Sequence, residues 1–242
     1  MQREPSLEPR FGLVIPCYNE AAGLPDLERR VRFVAQEGGG EVVLVDNGST
    51  DDTAAVLERL LGPADPAGGR EPVRWIRVPE NKGYGHGITQ GLAVARGPVI
   101  GWTHADLQTD PADVLRFLDV FGDRPVFAKG RRYGRPLADR VFTAGMSVFE
   151  TVLLRTPLRD INAQPTLFDR ELIDRWGQAP SDFSLDLFAL YQARRLGFVV
   201  RRLPVVFAPR RYGQSSWNTD FAAKRRFIER TLRYSMSLRS SL

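Results

Sequence analysis

The segment GWTHADLQTD, residues 101 to 110, sets an imidazole, a carboxylate and an amide at alternating positions, His104, Asp106 and Gln108. In an extended backbone side chains repeat with period two, so the three would face one point. Aspartate and glutamine oxygens suit Mg2+ or Mn2+, and an imidazole tilts the choice toward Mn2+. The same residues admit a plainer arrangement, with His104 packed at a strand end and Asp106 capping a helix that starts near Asp110 and Pro111. Polar groups stand in comparable places elsewhere: Asn19 and Glu20 close the run FGLVIPCYNE, and Asp46 follows EVVLV. A carboxylate after a strand is commonly a helix cap. Three such ends are a stronger signal, because a parallel sheet turns its strand ends toward one crevice.

The elements that must carry these groups follow from hydrophobic periodicity. FGLVIPC reads as a buried strand, followed by a helix on Leu24, Leu27, Val31 and Val34. EVVLVDNGSTDDTAAVLERLL repeats the scheme, with a polar turn from Asp46 to Ser49 and an acidic, capped first helical turn. A Gly/Pro-rich loop leads to the strand VRWIRV, a glycine-rich segment opens a helix ending at Gly97, and PVIGWT is the fourth strand. Alternating strands and helices of this length predict an α/β fold: a Rossmann-like, mostly parallel sheet with helices on both faces. Beyond residue 124 the pattern is less regular. PVFAKG reads as a strand, 138–154 as a helix, DINAQPTLFD as extended or looped, 181–196 as a helix, FVVRRLPVVF as a strand before a basic loop, and a last helix starts at about Asp220. The chain reads as one domain, 1–242, with halves 1–125 and 126–219 and a basic helix, 220–242.

At 242 residues, 43% hydrophobic and 26% charged, the composition is that of a globular protein and excludes a disordered or fibrous chain. Cys17 is the single cysteine, so no internal disulfide forms, which suits a reducing compartment and makes a cytoplasmic location the expectation. No apolar stretch reaches the roughly 18 to 20 residues of a membrane span, and the N-terminus lacks the apolar core of a secretory signal. The net charge of +5 is uneven: residues 194–242 carry 12 Lys or Arg against 2 Asp or Glu. A basic amphipathic end of this kind can lie on the inner face of an anionic membrane as a peripheral contact, or pack on its own domain with a solvated outer face. Nucleic acid is not expected as a partner, because the basic residues lack interleaved stacking aromatics and no DNA-reading motif is present.

Six segments in order, VIPCYNE, VDNGSTDDT, NKGYGHGITQGL, HADLQTDP, KGRRYG and RRYGQSSW, resemble the family 2 inverting glycosyltransferases of GT-A fold. Within them the resemblance is to the dolichyl-phosphate mannose synthases and bacterial polyprenyl-phosphate glycosyltransferases. It implies a nucleotide-sugar donor, usually a UDP- or GDP-sugar, and a bound Mn2+ or Mg2+. Carried over by position, it implies that Pro16, Tyr18 and Glu20 surround the nucleoside and that Asp46, with Gly48 in the turn beyond, contacts base or ribose. Asn81, Lys82, Gly83 and Gly85 line the donor cleft, and His86 contacts backbone or diphosphate. Asp106 matches the second aspartate of the DxD motif, bridging metal and diphosphate, with Gln108 beside it. His104 replaces the first aspartate, which leaves a metal set of His104, Asp106 and Gln108 one charge short and keeps metal-independent catalysis open.

The chemistry implied is departure of a nucleoside diphosphate as the acceptor attacks the anomeric carbon from the opposite face. One opposite charge at ~4 Å is worth about 4 kcal/mol at an effective dielectric of about 20, or roughly three powers of ten in rate. A sugar hydroxyl acceptor needs a carboxylate base, whereas a lipid phosphate is already anionic and needs cations. The resemblance assigns Arg132, Arg210 and Ser215 to an acceptor phosphate, for which the guanidinium fork is well shaped. Asp160 is the candidate base or acceptor-orienting group, or alternatively a turn cap; Asp186 ranks below it. The acceptor is therefore expected to be a polyprenyl phosphate, with a glycan or small-molecule hydroxyl as the rival. A catalytically weak nucleotide-sugar-binding protein is the third reading, suggested by His104.

Overall fold

Successive residues of the first strand, β1 (Phe11–Cys17), bury their side chains on opposite faces of a sheet. Phe11, Leu13 and Ile15 join one apolar cluster and Val14 the other. The computed structural model describes residues 8–67, 69, 71–134, 137–212 and 221–240. From β1 the chain passes through α1 (Leu24–Gly38), β2 (Glu41–Asn47), α2 (Thr53–Leu61), β3 (Val73–Val78), α3 (Tyr84–Val94), β4 (Val99–Trp102) and α4 (Asp113–Leu118). It continues with β5 (Val126–Tyr133), α5 (Leu137–Leu153), β6 (Thr166–Asp169), α6 (Glu171–Arg175), α7 (Leu185–Arg195), β7 (Val199–Val206) and α8 (Phe221–Ser240).

The seven strands form one sheet in the order β3-β2-β1-β4-β6-β5-β7. All neighbours are parallel except at β6, which runs antiparallel to β4 and β5. On one face α1, α2 and α4 bury Leu24, Leu27, Val31, Val34, Val56, Leu57, Val114 and Phe117. On the other, α3 and α7 bury Ile88, Leu92, Leu185 and Phe188, and Leu238 of α8 joins them. The α1 stripe has the three- and four-residue spacing of an amphipathic helix, and α1 is closed by Gly39 in the left-handed region at φ 63°. No helix among the described residues is long and apolar enough to cross a membrane.

Two features lay outside the sequence reading. Residues 166–169 form a fully paired strand in the middle of the sheet, because Thr166, Leu167 and Phe168 find partners far away in sequence on both sides. The expected helix at 181–196 begins only at Leu185, since the Asp182 carboxylate takes the Ser184 N–H at 2.8 Å and holds the preceding residues in a turn. A buried ion cluster also ties the sheet together: Glu41, 1% exposed, accepts from Arg96 at 2.7 and 2.8 Å and has Arg74 at 3.6 Å.

The order around β1 decides where a site can form. The chain moves from β1 to β2 and β3 on one side, then crosses to β4 on the other. The carboxyl ends of β1 and β4 are thus a switch point, beyond which ligands of doubly wound sheets bind. Close approach of β6 to β4 depends on Gly101, where a Cβ would fall well inside contact with the Thr166 carbonyl oxygen. Gly101→Ala is expected to cost about 1–3 kcal/mol as an overpacked core position. That lowers Tm by about 2–4 °C per kcal/mol for a chain of this size. Gly122→Ala, which meets open space, is the matched control in the same thermal denaturation and should be neutral.

Candidate active site

Side chains from two loops staple the end of β1 to the turn after β2. Asn19, at φ 56°, accepts the Thr50 N–H at 2.9 Å and donates to the Thr50 hydroxyl at 3.2 Å. Its own N–H goes to the Ser49 hydroxyl, and the Glu20 N–H to the Thr53 hydroxyl at 2.9 Å. The run Ser49–Thr53 therefore fixes the backbone that carries Tyr18 and Glu20. Asp46 is fully buried; one oxygen accepts the Ser49 N–H at 3.0 Å, while the other has no hydrogen-bond partner and only Arg77 at 3.6 Å. Gly48 at φ 71° lets the turn lie against the backbone of Asn81, whose side chain accepts the Gly83 N–H at 2.9 Å. Pro16 stays within β1 beside Val45, Tyr18 is 42% exposed, and Lys82 is exposed with Glu80 at 4.0 Å.

Gly83 and Gly85 require a correction. The expectation was that missing side chains admit a ligand; a Cβ at either position would instead strike the backbone of Pro180, Ser181 or Asp182. The His86 N–H also goes to the Ser181 carbonyl, at 2.8 Å. These glycines seat the start of α3 against the 180–182 turn.

A second correction concerns the segment after β4. Leu107 adopts φ 56°, so the chain bends there and His104, Asp106 and Gln108 do not share an extended face. His104 Nε2 lies 3.0 Å from the Tyr84 hydroxyl. Gln108 gives its amide N–H to the Ala208 carbonyl at 3.1 Å and accepts the Ala208 N–H at its own carbonyl at 2.7 Å. Asp106 Oδ1 accepts the Gln108 N–H at 3.1 Å, and Oδ2 has Arg210 at 3.8 Å.

Arg210 joins strand ends far apart in sequence, donating to Glu20 at 2.6 Å while standing beside Asp106. Its segment crosses the sheet edge: the Phe207 N–H meets the Tyr133 carbonyl at 3.1 Å and the Tyr212 hydroxyl donates to Asp26 at 2.7 Å. Burial raises the Glu20 carboxyl to about 7; Arg210 opposes that shift and Asp106 adds to it. Arg132, expected beside Arg210 on an acceptor phosphate, pairs instead with Asp160: its N–H and its Nε each reach the carboxylate at 2.9 Å. Burial alone would raise Asp160, but the charge and hydrogen bonds of Arg132, with Arg202, hold it below the ordinary range. Ser215 lies outside the described residues.

Sequence reasoning missed the polar chain behind the site. Lys129, with no exposed surface, donates to Asp186 and to the Thr166 hydroxyl, both at 2.7 Å, and Gln164 donates to the same Asp186 oxygen at 2.8 Å. Asp186, only 2% exposed, is thereby closed to a substrate. The signal was present: a lysine inside VFAKG and an aspartate inside SLDLF interrupt two apolar runs with opposite charges.

No group of three or more His, Cys, Asp or Glu side chains among the described residues could hold a metal ion. The donor set at Asp106 fits Mg2+ or Mn2+ as ions that arrive with a diphosphate, since such cations are often held by one or two carboxylates, substrate phosphates and water.

Comparison with known proteins identifies the family and the fold. The model of Glycosyl transferase family 2 matches residues 13–179. An uncharacterized glycosyltransferase of Mycobacterium tuberculosis is 30% identical over 215 residues, 84% of this chain and 87% of that one. An undecaprenyl-phosphate 4-deoxy-4-formamido-L-arabinose transferase of Pseudomonas syringae is 34% identical over 112 residues, 45% of this chain and 31% of that one. The solved structure of glucosyl-3-phosphoglycerate synthase from Mycobacterium tuberculosis with Mn2+, UDP-glucose and phosphoglyceric acid superposes with a TM-score of 0.69 at 16% identity, over 98% of this chain and 82% of that one.

The charge balance at the strand ends is testable. Removing Arg210 leaves Glu20 and Asp106 facing each other, a cost that is felt only when Glu20 is ionised. Arg210→Ala is therefore expected to lose about 1–3 kcal/mol at pH 8.5, a discount on the figure for a fully buried pair, and well under that at about pH 5. Urea denaturation at the two pH values checks this; a loss that is larger at acid pH contradicts the assignment.

Proposed function

The chain belongs to glycosyl transferase family 2, and from that premise we propose that it transfers a sugar from a UDP- or GDP-sugar to a polyprenyl phosphate, inverting the anomeric carbon. It is a nucleotide-sugar-dependent enzyme of GT-A fold, and the acceptor is the open question. In this reading Pro16, Tyr18, Glu20 and Asp46 with Gly48 receive the nucleoside. Asn81, Lys82 and His86 form the wall at the start of α3, and Asp106 faces the diphosphate.

The observation that carries the acceptor assignment is the state of the two candidate bases. Asp160 is bound to Arg132 and Asp186 to Lys129, and Asp160 is held below the ordinary carboxyl range. A carboxylate so stabilised is a poor base for a hydroxyl. An acceptor that is already anionic needs none. Arg132 would hold its phosphate, and Asp160, which also takes the Arg132 N–H, orients the Arg132 fork. A bound Mn2+ or Mg2+ would add positive charge where the diphosphate leaves, at Asp106.

The outer side of α5 supports a lipid acceptor. Leu137, Val141, Val148 and Val152 are 71, 64, 64 and 72% exposed. Their spacing places them along one stripe, opposite the buried Ser147, Glu150 and Leu154. Arg140, Arg155 and Arg159 are exposed along the same stretch. An apolar stripe bordered by arginines suits an anionic membrane surface, where the protein would sit peripherally on the inner face.

Radiolabelled UDP- and GDP-sugars offered with undecaprenyl phosphate in micelles, or with soluble hydroxyl acceptors, separate the alternatives. Lipid-linked product is expected, and product on the hydroxyl acceptors alone overturns the assignment. Asp106→Ala should lower turnover by about three powers of ten, the value of the one opposite charge that a cation held by Asp106 would supply to the leaving group, with an unchanged circular dichroism spectrum. Val148→Asp with Val152→Asp should weaken co-sedimentation with anionic vesicles by about tenfold or more without altering transfer to a short-chain, water-soluble acceptor phosphate.

A further inference from the structure

The buried polar chain ends at the residue by which this sequence departs from the DxD motif, and its direction of donation can be followed atom by atom. Lysine carries donors only, so the contacts at Lys129 make Asp186 an acceptor. Gln164 reaches the same carboxylate oxygen at 2.8 Å, which requires its amide nitrogen, not its oxygen, on that side. That nitrogen's other N–H faces the Tyr84 hydroxyl oxygen at 3.5 Å. The phenol is buried beside Asp186, and a tyrosine hydroxyl can donate one hydrogen bond while it accepts another. The hydroxyl lies 3.0 Å from His104 Nε2. Two ring contacts hold the hydroxyl in place: Tyr84 stacks on Phe183 with centroids 4.7 Å apart, and meets His104 edge-on at 5.6 Å.

We infer that Tyr84 is a positioning residue that fixes His104 as the Nδ1-protonated tautomer, so that the imidazole meets the donor's diphosphate as a hydrogen-bond donor and does not bind metal through Nε2. A neutral imidazole carries one proton, and the nitrogen that accepts from Tyr84 cannot hold it. The histidine then offers an Nδ1–H donor where the motif carries an acidic metal ligand. This changes what the strand end asks of its ligand: the anion is bound partly by a donor of the protein's own, and less by a cation brought with it. The inference rests on the reading of the 101–110 segment as the diphosphate end of the donor site.

The chain has two histidines, so a long-range proton–nitrogen correlation spectrum of the 15N-labelled full-length protein at about pH 8 resolves both, and His104→Gln identifies the second set by its absence. The expected spectrum shows His104 protonated at Nδ1 and bare at Nε2. Tyr84→Phe should release that preference, so that Nε2–H signal appears. Gln164→Met, which removes the Gln164 N–H donor to the Tyr84 hydroxyl but leaves the phenol, should weaken it. Addition of UDP or GDP should move the His104 Nδ1–H resonance. In turnover, Tyr84→Phe should raise the donor KM by about tenfold, the worth of one hydrogen bond to a charged group, with kcat nearly unchanged. A wild-type His104 carrying Nε2–H, with Tyr84 donating to Asp186 instead, overturns the inference. So does a nucleoside diphosphate that raises Tm but leaves the His104 resonances where they were. If neither UDP nor GDP raises Tm, the donor-site reading itself falls and takes this role with it, a result distinguishable from the tautomer being wrong.

Discussion

Parallel strands cannot be joined by a tight turn, so each link between them must cross the sheet through a helix and return to the same edge. In this molecule that constraint stacks the ends of β1, β2, β3 and β4 along one rim. The order then places β4 on the side of β1 away from β2, so the ends of β1 and β4 are neighbours on that rim. Glu20, Asp46 and Asp106 all occupy that rim, although as many as 86 residues separate them in sequence. The hydrogen bonds of the parallel ladders hold them there, and Asn19, Ser49 and Thr53 fasten the loops to one another.

The distribution of charge separates the rim from the interior. Within the fold, ionised groups are matched: Glu41 by Arg74 and Arg96, and Lys129 by Asp186. At the rim the carboxylates are undercompensated. Glu20 and Asp106 share Arg210, and one oxygen of Asp46 has no hydrogen bond at all. In this undercompensated cluster burial raises the affinity of Glu20 for a proton, against the pull of Arg210 and with a smaller push from Asp106. It also leaves electrostatic room for a cation or for hydrogen-bond donors arriving with a ligand, as family 2 glycosyltransferase chemistry requires.

Several residues have been given work by the structure that differs from what their motif suggests. Gly83 and Gly85 make room for protein backbone at 180–182, so that turn and the start of α3 are packed as one unit. Arg210, grouped with Arg132 by its basic loop, closes on Glu20 at the rim, whereas Arg132 closes on Asp160. Asp186 looked like a carboxylate on a helix face and is the inner anchor of a hydrogen-bonded chain running out to His104.

Local pattern alone carried the strands β1 to β4 with their helices, the parallel sheet and the rim residues Glu20, Asp46 and Asp106, because period-two and period-3.6 burial and turn chemistry are written in neighbouring residues. The family followed from six ordered segments, which also needs no coordinates. What pairs across long sequence separations was decided only by the tertiary structure. The antiparallel β6 in mid-sheet, the bend at Leu107 that separates His104 from Gln108, the closure of Arg210 onto Glu20 and the chain from Lys129 to Tyr84 all depend on partners between 20 and 190 residues away. A hydrogen bond or ion pair has no periodicity to announce it; its partner is known only when the chain has folded back upon itself.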